Sequence, residues 1–204
     1  MKSRIEIKET AKTIVKGSYS LTLLPYLLYV LLTALGGGIS FGLGTILLLP
    51  LSVGMQLVYI MLWRREDTSV DVMFTSAFQE NYGRKLGGVL LVSFFTWLWS
   101  LLFVIPGIVK SYSYAATPYI LAKYPNVAAD NAIKLSMRIM DGRKLDMFIF
   151  DLSFYGWQLL GVLTFGILNI LWVNPYYYTA RAGFIEESIA DAIASGRVDA
   201  SEHA

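Results

Sequence analysis

The sequence predicts an all-α polytopic membrane bundle: six transmembrane helices as three hairpins, each preceded by an amphipathic helix in the membrane interface. Three observations predict it. The 204-residue chain is 55% hydrophobic and only 16% charged, against about 25% charged in soluble domains. From Leu21 to Trp63 no charged residue occurs over 43 positions, long enough for two crossings at about 20 residues each. A unit that opens on a glycine beside cations and runs into an apolar segment recurs three times.

The repeat is clearest where "GRKL" occurs twice, in "YGRKLGGVLLVSFF" from Tyr82 and "DGRKLDMFIFDLSF" from Asp141. A fainter copy, "VKGSYSLTLLPYLL", starts at Val15. After each glycine come a long apolar segment, a break and a second apolar segment. The breaks are "GGGISFGLG", "IPGI" and "TFGI", and each second segment carries a proline well inside it, Pro50, Pro118 or Pro175. Glycine-to-proline spacings are 33, 35 and 33 residues. A recurring period is read before any other pattern. The membrane domain is therefore 1–190, in pseudo-repeats 1–66, 67–124 and 125–190, followed by a polar tail, 191–204, that is expected to fray.

Each unit begins with a surface helix. Ile7, Ala11, Ile14, Val15 and Ser18 form a stripe at helical spacing, with Lys8, Lys12 and Lys16 opposite. The middle copy offers Val70, Met73, Phe74, Ala77 and Phe78. In the third, Asp130, Asn131, Lys134, Arg138 and Asp141 share a narrow polar arc and apolar residues fill the rest. Asn126 is its expected N-cap and Gly142 its stop. A wide apolar face with a cationic flank belongs in a membrane interface, and packing on the protein's own loops is compatible with that placement. The glycine lets the chain bend into the bilayer. The cations Arg84, Lys85, Lys134, Arg138, Arg143 and Lys144 are the expected membrane-surface contacts, on anionic inner-leaflet lipid.

Topology follows from the cations. They crowd the segments between hairpins, whereas the turns within hairpins are uncharged except for Lys110 nearby, which is expected to snorkel to the outer surface. Short loops rich in Lys and Arg stay in the cytoplasm. Both termini are expected there, in a multi-pass protein of the cell membrane. The fourth span, residues 107–122, carries a lysine, several hydroxyl groups and a proline; a re-entrant segment is its alternative.

Few ionisable groups fall inside the spans. Asp151 and Arg181 come to a shared depth in the third hairpin and are expected to pair, as a structural clamp rather than a proton relay. Gln56, Gln158 and Asn174 are candidate polar residues of a cavity, because prolines that free backbone carbonyls can build mid-membrane sites. No enzyme constellation appears. The one histidine is His203, in the tail, and there is no cysteine, so histidine triads and sulfur-ligated metals are excluded. A phosphate-binding glycine loop is missing. No cofactor is expected, and a net charge of +2 gives no footprint for nucleic acid.

The stretch "IPGIVKSYSYAATPYILAKYPNVAADNAIKLSMRIMDGRKLDMFIFDLSFYGWQLLGVLTFGILNILWVNPYYYTARAGF" resembles a family of bacterial integral membrane proteins known as a domain of unknown function. The resemblance rests on Pro106–Gly107, "AIKLS", "DLSFYGW" and "NPY", is best over residues 100–185, and implies membrane residence with a repeated helical layout. It brings no catalytic or binding residues. The expected function is that of a non-enzymatic membrane protein binding lipid or a protein partner, in envelope regulation or resistance. A small-solute or lipid transporter using the proline-broken helices is the alternative.

Overall fold

A computed structural model describes residues 2–39, 42–79, 81–102 and 104–199. Ser40 and Phe41 of the first turn, and Glu202 and His203 of the tail, lie outside them. The described residues form helices and no strand. Among them one helix, over Tyr19–Gly38, is long and apolar enough to cross a membrane.

The first unit begins with α1 (Arg4–Gly17), which Ser3 and Glu6 start by reciprocal capping: Glu6 N–H donates to Ser3 Oγ at 3.2 Å, and Ser3 N–H to the Glu6 carboxylate at 2.6 Å. After a break at Ser18, α2 (Tyr19–Ile39) runs out and α3 (Leu43–Leu47) and α4 (Pro50–Arg64) return. The second unit is α5 (Val70–Phe74) continued by a π-helical turn (Thr75–Gln79), then α6 (Tyr82–Leu102), α7 (Val104–Ser113) and α8 (Thr117–Lys123). The third is α9 (Ala129–Ile139), α10 (Lys144–Leu163), a π-helical segment (Asn169–Val173) and α11 (Asn174–Ala194). The three repeated prolines share one role. Pro50, Pro118 and Pro175 each sit in the first turn of the inner piece of a return limb, where a missing N–H costs nothing.

Each hairpin is antiparallel along its length. Tyr59 on α4 donates its hydroxyl to Thr22 O on α2 at 2.7 Å. Gly107 lies against Ser100, and Arg84 reaches the carbonyls of Leu121, at 2.7 Å, and Tyr124, at 3.1 Å. Phe154 on α10 meets Tyr176 and Tyr177 on α11. The surface helices join the hairpins cyclically. α5 and its π turn pack on α4, α9 packs on α8, and α1 packs on α11, so each covers the return limb of the hairpin before it. Gly54 permits one of these approaches: a Cβ there would lie 2.0 Å from Met73 O.

This packing corrects the expected interface helices. Ile7, Ala11, Ile14 and Val15 are buried in the protein itself, as are Ala132, Ile133, Leu135 and Ile139 of α9. Ser136 explains why α9 belongs there. Its hydroxyl donates to Ser113 O at 2.9 Å and accepts from Ala116 N–H at 3.1 Å, satisfying backbone groups freed where α7 breaks from α8. The α9 N-cap is Ala128 rather than Asn126. Tyr82, at the foot of the second hairpin, donates to Leu47 O near the tip of the first at 2.9 Å. The second hairpin therefore starts far up α4 instead of level with the first. Broken return limbs and this stagger explain why six equal, uninterrupted spans do not emerge.

The tail is also corrected as far as Val198. α11 continues to Ala194, Val198 is buried, and Arg197 binds the Asp191 carboxylate and reaches the carbonyls of Asp141 and Ile139.

Candidate functional site

Burial divides the helices into two classes. α4, α8 and α11 carry the core, with Leu51, Tyr59, Tyr119, Ile120, Phe184 and Ile185 almost wholly buried. The outward limbs and tips do the opposite. Leu31 and Leu35 on α2, Phe94 and Trp97 on α6, Ile105 on α7 and Leu159 and Leu163 on α10 are exposed, Ile105 by 75% and Leu163 by 77%. Among the described residues, none of the exposed large hydrophobics lies on α4, α8, α9 or α11. Water-soluble monomers rarely present an apolar surface of this extent.

Asp151 and Arg181 come together, but through a third residue. Tyr177 donates its hydroxyl to Asp151 Oδ1 at 3.0 Å and accepts from Arg181 Nη1 at 3.1 Å. One helical turn separates Tyr177 from Arg181, so the phenol fills the gap that a direct pair would have to close. Tyr112 of α7 also neighbours the Asp151 carboxylate, which ties the second hairpin to the third. The polar groups expected to line a cavity are dispersed. Asn174 donates to the Tyr26 hydroxyl at 2.6 Å, and the Gln158 carbonyl accepts from Asn169 at 3.3 Å. Gln56 Oε1 is buried without a partner. None of the three lines the clefts at α1 and α4, between α6 and α9, between α7 and α10 or on α9, and Asn174 ties α11 to α2.

The expected surface cations divide. Lys85 is 1% exposed and its ammonium binds the Ser76 hydroxyl at 3.1 Å and the Ser76 carbonyl, so it makes no membrane-surface contact. The π turn covers it. Arg84 is turned onto the end of α8 and also reaches Val127 O at 2.5 Å. Burial pushes its guanidinium below its usual value. Arg143 stacks over the Phe184 ring, 5.4 Å from the centroid, and pairs with Asp146 at 3.2 Å. Lys144 pairs with Asp141 at 3.8 Å. Lys134 and Arg138 remain on the exposed face of α9.

The densest polar cluster centres on Glu186, which the sequence pattern does not single out. Its carboxylate receives Arg64 from the end of α4 in two bonds, Nη2 at 3.0 Å and Nε closer. Tyr119 of α8 donates to the same carboxylate, and Lys123 lies 3.5 Å away. Burial pushes the Glu186 carboxyl up, yet Arg64, Tyr119 and Lys123 outweigh it and hold the group below the usual carboxylate value. Burial likewise lowers Lys123, against the Glu186 charge. The available signal was the continued stripe Ile185, Ser188, Ile189 and Ala192, all buried, which carries α11 past the apolar run and so past Glu186. Chemically the cluster is a lock joining three return limbs.

Among the described residues no group of three or more His, Asp or Glu could hold a metal ion. Residues 101–191 match a family described as a protein of unknown function (DUF975). The chain is similar to that uncharacterised family from the tip of the second hairpin through most of α11. The segment that carries the sequence resemblance falls within the match. No curated protein and no solved structure matches the chain.

Proposed function

We propose that this protein is a non-enzymatic, multi-pass protein of the cytoplasmic membrane that holds anionic lipid against its cationic face. The observation that carries the reading is the exposed apolar surface on α2, α3, α6, α7 and α10, beside a core drawn mainly from α4, α8, α11 and the surface helices, with Met147, Phe150 and Phe154 of α10. Water would oppose such a surface at about 25 cal/mol per Å2, whereas a bilayer removes the penalty. The apolar faces of α2, α6 and α10 then meet lipid. The cation-rich segments and both termini lie in the cytoplasm, following the Lys and Arg bias. The backbone freed where α7 breaks from α8 is satisfied inside the protein by Ser136, which a lipid environment demands.

Alkaline extraction of membranes tests the reading. The protein should stay in the pellet, and a reporter fused after Ile105 should read as external. Release into the supernatant, or a cytoplasmic reporter at that site, overturns it.

A further inference from the structure

A cleft of about 380 Å3 lies between α6, α7 and α9. Its walls are apolar, with Leu91 and Phe95 from α6 facing Ile133 and Met137 from α9. Two ammonium groups serve it, Lys110 from α7 and Lys134 from α9. Lys110 does not snorkel to an outer surface as its place in the sequence implies. Its ammonium rests over the Trp99 ring, 4.8 Å from the centroid, on the side where α9 packs. Lys134 pairs with Asp130 at 3.2 Å in an exposed i,i+4 contact, and Asp130 is the acidic residue of the lining. The cleft thus has a net positive rim over a greasy floor, beside the exposed Phe94, Leu98 and Val109 of the same hairpin.

We infer that this cleft holds one anionic phospholipid, its phosphate between Lys110 and Lys134 and an acyl chain along Leu91, Phe95, Ile133 and Met137. The inference rests on the membrane reading above and names its ligand class and its site. A zwitterionic headgroup would bring its own cation against the two lysines, so charge complementarity selects a net-negative lipid. A free phosphate would satisfy the rim but leave the apolar floor open to water. Asp130 competes with the phosphate for Lys134, so its removal should tighten binding. A phosphate held by two ammonium groups, each worth about 1 kcal/mol near a membrane surface, predicts roughly a tenfold or greater selectivity.

The test is native mass spectrometry of full-length protein released from nanodiscs of phosphatidylcholine mixed with phosphatidylglycerol. The expected result is one phosphatidylglycerol per chain for the native protein, about a tenfold loss for the Lys110→Gln/Lys134→Gln double variant, near-native retention for Lys110→Arg/Lys134→Arg, and a severalfold gain for Asp130→Asn. Equal retention of the two lipids by the native chain, or unchanged phosphatidylglycerol in the glutamine variant, overturns the site. So does displacement of the lipid by millimolar inorganic phosphate, which would assign the rim to a soluble ion. Alkaline extraction of the same preparations separates the two failures. Protein that resists extraction but shows no lipid preference sinks the cleft alone, while protein that is extracted sinks the membrane reading with it.

Discussion

The two "GRKL" segments have the same four residues and opposite fates. At Gly83–Leu86 the glycine lies inside the first turn of α6, and the chain bends one step earlier, at Asn81, with φ 51°. The arginine caps the end of α8 and the lysine is buried under the π turn. At Gly142–Leu145 the glycine itself makes the bend, with φ 74°. The arginine lies on an aromatic ring beside Asp146, and the lysine stays partly in solvent. The difference is what covers each segment. The π turn before the first copy folds over Lys85, whereas α9 before the second stops short at Ile139 and packs on the other hairpin. Local sequence supplied identical parts, and the neighbouring element decided which became core.

The largest expected effect sharpens that contrast. Lys85→Glu would place a carboxylate against the Ser76 carbonyl in a closed site, which should cost more than about 3 kcal/mol. Lys144→Glu, at a half-exposed pair, should cost less than about 1 kcal/mol. Thermal unfolding in detergent compares them; equal losses would place the two lysines in equivalent environments and break the comparison.

The next effect concerns the lock between limbs. Glu186, on the hairpin that follows the second copy, should contribute about 1.5–3 kcal/mol through its charged hydrogen bonds. Its folded-state pKa is depressed, so this stability is present above the usual carboxylate value of 4.5 and is lost as pH falls below it toward the folded value. Glu186→Gln should weaken the protein at neutral pH and flatten the acid limb of a stability-against-pH curve. A variant that keeps the native acid limb would show that another carboxylate governs it.

The smallest effects should differ in sign. Gly142→Ala forces a side chain into a left-handed conformation and should cost about 1–2 kcal/mol. Gly83→Ala adds a methyl in a helical turn where nothing lies within 4 Å, and should stabilise by about 0.4–1 kcal/mol. Matching denaturation midpoints for the two would erase the distinction between joint and helix.

Much of the architecture was legible because it depends on local chemistry. The charge-free run gave α2, and the spaced prolines showed where the return limbs break, though they start α4, α8 and α11 instead of lying well inside a continuous span. The stripe of α1 was also readable, though not what covers it: the same apolar face satisfies a bilayer or α11. Lys85 was misplaced and Glu186 overlooked for one physical reason. A charge is assigned to the surface unless a partner is known, and their partners lie on elements folded over them, the π turn in one case and α4 and α8 in the other. Asp151 and Arg181 share Tyr177 as a partner, and a pairing argued from depth carries no information about an intervening phenol.

The cyclic packing has a bearing on biosynthesis. α1 is synthesised well before the α11 on which it packs, and Lys2 N–H meets Glu187 at 3.1 Å only once α11 exists. Until translation passes Ala194, the greasy stripe of α1 has no native cover, so a stalled or truncated nascent chain would carry a ready mark for membrane quality control.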